Sequence, residues 1–217
     1  MECFAHRGFG AVNPENTLAA VESAVAAGVD GIELDVRRCG SGELVVVHDA
    51  TVDRVTGARG RVESFTATEL ANLSVRGSDA GVPTLAAVCR AVPPEIRLTL
   101  DLKERGTAAD AVETARAHDC DLLVSAASAA TLAETSGADR AYIFSGAPEL
   151  MLDEAADLGC TAVHPHWHLC TDSFLTAARD RGFEVNAWPA PNGAIAAAVE
   201  AVGVDGLIAD APGYCDP

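Results

Sequence analysis

Lysine is almost absent from this 217-residue sequence, since Lys103 is the only lysine and every other basic residue is an arginine. Basic residues of both kinds number 15 against 32 acidic residues, which gives a formal net charge of −17 at pH 7. A protein this acidic repels nucleic acids and anionic membrane surfaces. We therefore expect no nucleic acid partner and no stable membrane association.

Paired cysteines are lacking as well, because the seven cysteines are scattered singly and no Cys-x-x-Cys motif occurs. An odd number of separate cysteines, in a sequence that opens on a strand without a charged and apolar leader, predicts reduced, mostly buried thiols in the cytoplasm. No apolar run approaches the ~20 residues of a membrane-spanning helix. The length suits one domain with a sizeable core, and we interpret residues 1–217 as a single domain.

Strand-like and helix-like segments alternate along most of the chain. The strands are predicted at 3–6, 31–36, 97–103, 121–125, 140–145, 161–165, 184–188 and 206–209. Eight such strands with short connections predict a TIM (β/α)8 barrel, and an open doubly wound sheet is the alternative. The segment after the last strand is too short and too rich in proline and glycine for a full helix. One outer face would then be open to a homo-oligomer contact.

The alternation is interrupted after the second strand. A glycine-rich turn at 39–42 leads into the apolar run Leu44-Val45-Val46-Val47, which predicts a hairpin extension. Residues 51–81 then follow neither a strand nor a helix period for long. Insertions of this length in compact α/β folds are usually functional, so we interpret 51–81 as a cap over a site.

Polar residues that are unusual for a core occur where the predicted strands end. The carboxyl ends of barrel strands form one mouth, which is where active sites lie. Because alternate residues of a strand share a face, the two acids of the second strand point the same way, as do the acid and the lysine of the third. The residues at these ends are His6, Arg7, Glu33, Asp35, His48, Asp101 and Lys103.

The three acids of this group predict a metal site. Glu33, Asp35 and Asp101 are hard oxygen donors, which Mg²⁺ or Ca²⁺ prefers, and neither thiolates nor a histidine triad indicates zinc. Adjacent carboxylates raise one another's pKa unless a cation offsets their charge. A pair of surface acids on an edge strand is the alternative, but it leaves the apolar residues between them unexplained.

The basic and imidazole side chains predict phosphate chemistry. His6 and His48 flank the acids and can act as general acid and general base near neutral pH, although either alone would be a structural residue more often. Arg7 and Lys103 supply fixed positive charge for a phosphate. The alternative for Lys103 is an ion pair with Asp101.

Aromatic and imidazole residues near the later strand ends need separate interpretation. His164, His166 and His168 alternate at the end of the sixth barrel strand, and we favour loop positions for them over a role as ligands. Trp188 ends the seventh barrel strand. We interpret it as a wall of the pocket, with a buried core aromatic as the alternative.

In order and spacing, several of these segments resemble the glycerophosphodiester phosphodiesterase family: His6-Arg7-Gly8, Pro14-Glu15-Asn16-Thr17, Glu33-Leu34-Asp35, His48-Asp49 and Pro83-Thr84-Leu85. The resemblance implies an α/β barrel that uses Mg²⁺ or Ca²⁺ to hydrolyse a small-molecule glycerophosphodiester to glycerol phosphate and an alcohol. It implies catalytic roles for His6 and His48 and metal ligation by Glu33, Asp35 and Asp101. It also implies substrate contacts by Arg7, Lys103 and Trp188, with support from Glu15 and Asn16.

The chain departs from the family pattern at Asp101, where the family usually has the longer glutamate. A shorter side chain would draw the metal toward the third barrel strand or admit a bridging water. Three alternative functions stay open at this point. They are a lysophospholipase D-like enzyme or cyclising phosphodiester lyase acting on lipids, a non-catalytic barrel that binds a phosphate ligand, and a metal-dependent aldolase-type barrel.

Overall fold

A closed parallel barrel forms the centre of the molecule, for which the computed structural model describes residues 1–215. Eight strands run parallel, and β1 pairs with both the second and the last strand, which closes the barrel. This confirms the predicted TIM (β/α)8 barrel and excludes the open sheet. The strands are β1 (Glu2–His6), β2 (Gly31–Arg38), β3 (Leu44–Val46), β4 (Arg97–Leu102), β5 (Leu122–Ala126), β6 (Asp139–Phe144), β7 (Ala162–Pro165), β8 (Glu184–Ala190) and β9 (Gly206–Ala209).

Helices surround the barrel and begin at residues that can cap them. Thr17 accepts a hydrogen bond from the N–H of Ala20 at the start of the first helix, and Gly28, at φ 74°, ends that helix in the left-handed conformation. No helix within residues 1–215 is long and apolar enough to cross a lipid bilayer. The helices are α1 (Leu18–Ala27), α2 (Ala67–Ala71), α3 (Leu85–Ala91), α4 (Ala108–Arg116), α5 (Ala129–Leu132), α6 (Pro148–Asp157), α7 (Asp172–Asp180) and α8 (Gly193–Val202).

The inside of the barrel changes from apolar to polar along the strands. Near the amino-terminal ends of the strands, the ring of Phe4 fills the space beside Gly31 and Gly206, where an added Cβ would lie 2.4 and 2.8 Å from the ring. His6 is two residues further along β1 and in register with Glu33 of β2. Because alternate strand residues share a face, the packed base and the polar mouth are two levels of the same interior.

An insertion lies between β2 and α3 and begins with the predicted hairpin. β3 pairs with β2 in antiparallel orientation, with Val46 opposite Val36. The chain that follows contains α2, which Thr66 and Glu69 cap reciprocally. It has a small apolar cluster of its own, separate from the main core: Cys39, Val45, Val47, Val52, Val55, Val62, Leu70, Val75 and Val82.

A disulfide bond joins Cys3 to Cys215, so the prediction that all seven cysteines are reduced is wrong for this pair. Closure of the barrel explains the bond, because it places β1 beside β9, with Cys3 in register with Leu207. Up to residue 215, the chain after β9 forms only the single turn Pro212–Tyr214, in agreement with the predicted lack of a full last helix. This turn brings Cys215 to the outer face of β1. Within residues 1–215, the other five cysteines are free.

Candidate active site

The carboxyl ends of the barrel strands surround a cavity of about 210 Å³. The predicted convergence on one mouth therefore appears in the fold. Glu15 and Asn16 stand behind the wall and contact it, whereas His166 and His168 are outside it. The wall includes nine of the residues singled out from the sequence: His6, Arg7, Glu33, Asp35, His48, Asp101, Lys103, His164 and Trp188.

Three buried acids converge on one side of this cavity. Glu33, Asp35 and Asp101 each offer a carboxylate oxygen, and these oxygens lie within 4.8 Å of one another. The strands position them, since Asp35 is in register with Asp101 on the neighbouring strand. Asp101 Oδ1 is buried and has no hydrogen-bond partner within residues 1–215. Three clustered carboxylates with an unpartnered oxygen match the donor set of a hard divalent cation.

The three acids differ in how easily they lose a proton. Burial and the neighbouring Asp35 carboxylate raise the pKa of Glu33 to about 7. Burial also raises the pKa of Asp35, but Lys103 and Arg7 outweigh it and hold that pKa below its ordinary value. The pKa of Asp101 is raised by burial despite the opposing charge of Lys103. The protonation of Glu33 therefore changes near neutral pH.

Lys103 contacts two of these acids directly. Its Nζ lies 2.8 Å from Asp35 Oδ1 and also forms an ion pair with Asp101 Oδ2. The ion pair with Asp101 that was the alternative interpretation of this lysine is thus present. Because the ammonium group is mostly buried within the cavity wall, it places a fixed positive charge beside the acids.

Glu15 links the first loop to the insertion through a cluster of arginines. Arg7 Nη1 donates to Glu15 Oε1 at 3.0 Å, and Arg7 Nε lies 3.1 Å from Asp35 Oδ2. Glu15 is only 5% exposed, yet it also pairs with Arg54 at 2.8 Å and Arg76 at 2.9 Å. Both of these arginines belong to the 51–81 segment and were missed in the sequence, because no local pattern connects them to Glu15.

Asn16 fixes the orientation of one acid. Its Nδ2 donates to Asp35 Oδ2 at 2.7 Å, and the backbone N–H of Asp35 donates to Asn16 Oδ1 at 3.2 Å. Asn16 adopts a left-handed backbone conformation with φ 60°, which asparagine tolerates better than most residues. The paired hydrogen bonds hold Asp35, and with it the carboxylate, in one position in the cavity wall.

Each of the two predicted catalytic histidines has a carboxylate partner. His6 Nδ1 lies 2.5 Å from Asp210 Oδ1, and His48 Nδ1 lies 2.6 Å from Asp49 Oδ1. A carboxylate at Nδ1 fixes the orientation of the imidazole ring and leaves Nε2 free to exchange a proton with a ligand. Burial lowers the pKa of His6, but Asp210 and Glu33 outweigh it, so the pKa is raised. Asp210 was missed in the sequence, although it directly follows the predicted strand 206–209 and could have been found by its position at a strand end.

The later histidines do not act as one group. His164 is buried on β7 and belongs to the cavity wall, whereas His166 and His168 contact each other, with their Nδ1 atoms 2.5 Å apart. The loop interpretation therefore holds for the last two and is wrong for His164. Trp188 lines the cavity and donates from Nε1 to the carbonyl of His164 at 2.7 Å. Its position fits a pocket wall rather than a core aromatic.

Comparison with known sequences gives a family match over the segment that carries most of the cavity-wall residues. The family model described as "Glycerophosphoryl diester phosphodiesterase family" matches residues 6–153. A glycerophosphodiester phosphodiesterase of Caldanaerobacter subterraneus subsp. tengcongensis is 50% identical over 78 residues, which are 36% of this chain and 30% of that protein. The matched segments span less than half the length of the first curated relatives.

Comparison with solved structures covers nearly the whole chain. A glycerophosphodiester phosphodiesterase of Thermotoga maritima has a TM-score of 0.85 at 27% identity, over 98% of this chain and 95% of that chain. A phosphodiesterase of Oleispira antarctica, in complex with the product sn-glycerol-3-phosphate, has a TM-score of 0.90 at 26% identity, over 98% of this chain and 94% of that chain. The barrel described above is thus similar to theirs along almost its full length.

Proposed function

Because the chain belongs to the glycerophosphoryl diester phosphodiesterase family, we propose that it hydrolyses glycerophosphodiesters to glycerol phosphate and an alcohol. The observation that carries this proposal is the meeting of three acids, two carboxylate-paired histidines and two basic side chains in one cavity. The similar Oleispira antarctica phosphodiesterase is in complex with sn-glycerol-3-phosphate, which supports glycerol phosphate as the product.

A divalent cation, Mg²⁺ or Ca²⁺, is part of this proposal. Glu33, Asp35 and Asp101 would hold it, since their clustered carboxylates and the unpartnered Oδ1 of Asp101 fit a hard cation. Once bound, the cation would supply positive charge that stabilises the oxygens of the reacting phosphate. Asn16 would keep Asp35 oriented, through the two hydrogen bonds that join them.

Arg7 and Lys103 would bind the phosphate. Both carry a permanent positive charge at the cavity wall, in a molecule whose net charge of −17 otherwise repels anions. Glu15 would support this role, because its ion pair with Arg7 limits where the guanidinium can lie. Trp188 would form an apolar side of the substrate pocket.

His6 and His48 would move the protons. Asp210 raises the pKa of His6, so this imidazole tends to carry a proton and is suited to protonate the leaving alkoxide. His48, the more exposed of the two at 35% against 16%, is suited to accept a proton from water or from a substrate hydroxyl. In both residues the carboxylate at Nδ1 leaves Nε2 as the working nitrogen.

Residues 1–217 would act as one barrel domain, with the 51–81 segment as a cap on the mouth. The ion pairs of Arg54 and Arg76 with Glu15 support this interpretation, because they join the segment to the loop that carries Arg7. A cytoplasmic location and a homo-oligomer contact stay predictions. The Cys3–Cys215 bond counts against the cytoplasm, since disulfides are rare in reducing compartments.

Product release tests the proposal most directly. Wild type and His48→Ala are incubated with several glycerophosphodiesters, with and without chelator, and free glycerol phosphate and alcohol are measured. We expect activity that chelator abolishes and that His48→Ala reduces by about 10²-fold or more. Unchanged rates in chelator would contradict the proposal that activity depends on a divalent cation. Full activity of His48→Ala would contradict the catalytic role of His48. Accumulation of a cyclic phosphate as the final product would indicate the lyase instead.

A further inference from the structure

His164 is the one histidine of the cavity wall without a carboxylate partner among residues 1–215. It is 1% exposed, and its Nε2 is buried with no hydrogen-bond partner in the part of the chain that the structure describes. Buried polar atoms are normally hydrogen-bonded, because an unpaired one has lost its hydrogen bonds to water and gains no other bond that offsets this free-energy cost. The unpaired imidazole nitrogen in the pocket wall is therefore available to a group that enters the cavity.

The topology places His164 across the barrel from the acids. Around the closed sheet, β7 is four strands away from β2 in both directions, so it lies opposite the strand that carries Glu33 and Asp35. The wall on this side is mostly apolar, with Ser145 and His164 as its polar members. The apolar residues of the cavity wall are Ala127, Ile143, Phe144, Trp188 and Ile208.

The backbone of His164 is held in place from the neighbouring strand. Trp188 Nε1 donates to the carbonyl oxygen of His164 at 2.7 Å, just beyond the last regular pair of β7 and β8, Val163 with Val185. The side chain therefore projects from a fixed position rather than from a mobile loop. A fixed hydrogen-bonding group is what orientation of a bound substrate needs.

The charge of His164 restricts what it can bind. Burial lowers the pKa of this imidazole to about 3, so it is neutral throughout the physiological range. A neutral imidazole offers one N–H donor and one lone pair. Depending on the tautomer, Nε2 is either the donor or the acceptor, and an alcohol hydroxyl can pair with either, whereas an anionic phosphate is better matched by Arg7 and Lys103 on the other side of the mouth.

We propose that His164 binds a hydroxyl group of the phosphodiester substrate and so orients the substrate across the mouth from the acids. The inference rests on the proposed function. The hydroxyl comes either from the glycerol unit or from a hydroxylated head group. Both sources supply an alcohol hydroxyl, and they can be distinguished by comparing substrates with and without a hydroxylated head group.

The test compares two substitutions at this position. His164→Phe keeps a planar ring but removes both nitrogens, and His164→Gln keeps a neutral donor and acceptor. We expect His164→Phe to raise KM at least tenfold with kcat within about threefold of wild type, and His164→Gln to stay within about threefold in KM. The midpoint of thermal unfolding of His164→Phe should not fall, because an apolar ring replaces a buried unpaired polar one.

His118→Phe serves as the matched control, since His118 follows α4 and is not part of the cavity wall. A folded His164→Phe enzyme with wild-type KM would overturn the inference, and so would a His164→Gln enzyme as impaired as the phenylalanine variant. If wild type hydrolyses no glycerophosphodiester, the proposed function fails and the inference fails with it. If wild type is active and the phenylalanine change is silent, the inference alone fails.

Two substrates separate the sources of the hydroxyl: the glycerophosphodiester of inositol and that of ethanol. An equal rise of KM on both would assign the contact to the glycerol unit, which they share. A rise on the inositol substrate alone would assign it to the head group, and either result supports the inference. An unchanged KM on both substrates would overturn it.

Discussion

His6 Nδ1 lies 2.5 Å from Asp210 Oδ1, although 204 positions separate the two residues. The contact joins the carboxyl ends of the first and last barrel strands, so it exists only in the closed barrel. It couples closure of the fold to the protonation of a histidine in the cavity wall. A carboxylate at Nδ1 both orients the ring and stabilises its charged form.

Replacing Asp210 by asparagine should lower activity and move its pH dependence. The amide preserves size but removes the charge that raises the pKa of His6, so His6 loses its proton at lower pH. If His6 is the general acid, the alkaline limb of the profile of kcat against pH shifts to lower pH, and kcat falls by about 10²-fold or more. Asp157→Asn, on the exposed end of α6, is the control. If the alkaline limb of the profile is at the same pH in Asp210→Asn as in wild type, His6 is not the general acid.

Metal binding should weaken as the pH falls below about 7. Burial and Asp35 raise the pKa of Glu33 to about 7, so a cation bound by this carboxylate displaces a proton at lower pH. Affinity should then drop by about tenfold for each pH unit below that value, as one proton is released for each cation bound. Calorimetric titration with Mg²⁺ and with Ca²⁺ between pH 5.5 and 8 measures it, and Glu33→Gln should lose the pH dependence. An affinity independent of pH in wild type would contradict the prediction.

The same acid should make the metal-free protein less stable at higher pH. The pKa of Glu33 is raised in the folded state, so its contribution to stability is complete below about 4.5, its ordinary value, and is lost as pH rises through about 7. Compared with Glu33→Gln, metal-free wild type should therefore lose unfolding free energy between pH 5 and 8. Urea unfolding at several pH values measures the difference, and added Mg²⁺ should reverse it. Parallel pH curves for the two proteins would contradict it.

Local patterns predicted the parts of the site that depend on strand geometry. Glu33 and Asp35 share a face because alternate residues of a strand do so, and the alternation of strands and helices predicted the barrel that brings Asp101 beside them. The sequence could not reveal the His6–Asp210 and Cys3–Cys215 contacts, because each connects the two ends of the chain. Such contacts are set by barrel closure rather than by any local period.

The interpretation of His164, His166 and His168 as loop residues is wrong only for His164, which lies on β7. β7 ends at Pro165, and the turn Trp167–Leu169 changes the direction of the chain, so only His164 remains on the strand face that meets the cavity. A period of two holds only as long as the strand lasts.

Arg54 and Arg76 were missed because the 51–81 segment has no sustained period from which to place its side chains.

Replacing Glu15 by glutamine should loosen the insertion. This carboxylate is 5% exposed and pairs with Arg7, Arg54 and Arg76, so its loss removes the negative charge that these three arginines share. We expect the free energy of unfolding to fall by about 3 kcal/mol, as when one member of a buried pair is removed. Arg54→Ala, at a side chain 44% exposed, should cost about 1 kcal/mol or less. Urea unfolding measures both changes.

Limited proteolysis provides the second readout for Glu15. If Glu15 holds the 51–81 segment against the first loop, Glu15→Gln should be cleaved within that segment faster than wild type. Glu63→Gln, at an exposed acid of the same segment, is the matched control. Equal cleavage rates for Glu15→Gln and wild type would show that other contacts hold the insertion.

Breaking the Cys3–Cys215 bond should lower stability without changing catalysis. The bond closes a loop with a sequence separation of 212, and loss of such a crosslink costs about 2 to 4 kcal/mol through the greater freedom of the unfolded chain. Cys3 is on the outer face of β1, whereas His6 is on the inner face, so kcat and KM at 25 °C should stay within about twofold. Cys215→Ser and reduced wild type should show equal losses in urea unfolding, and Cys160→Ser, at a free cysteine, should show none of this loss. If the free energy of unfolding of wild type is the same with and without reductant, the result would contradict a stabilising disulfide between Cys3 and Cys215.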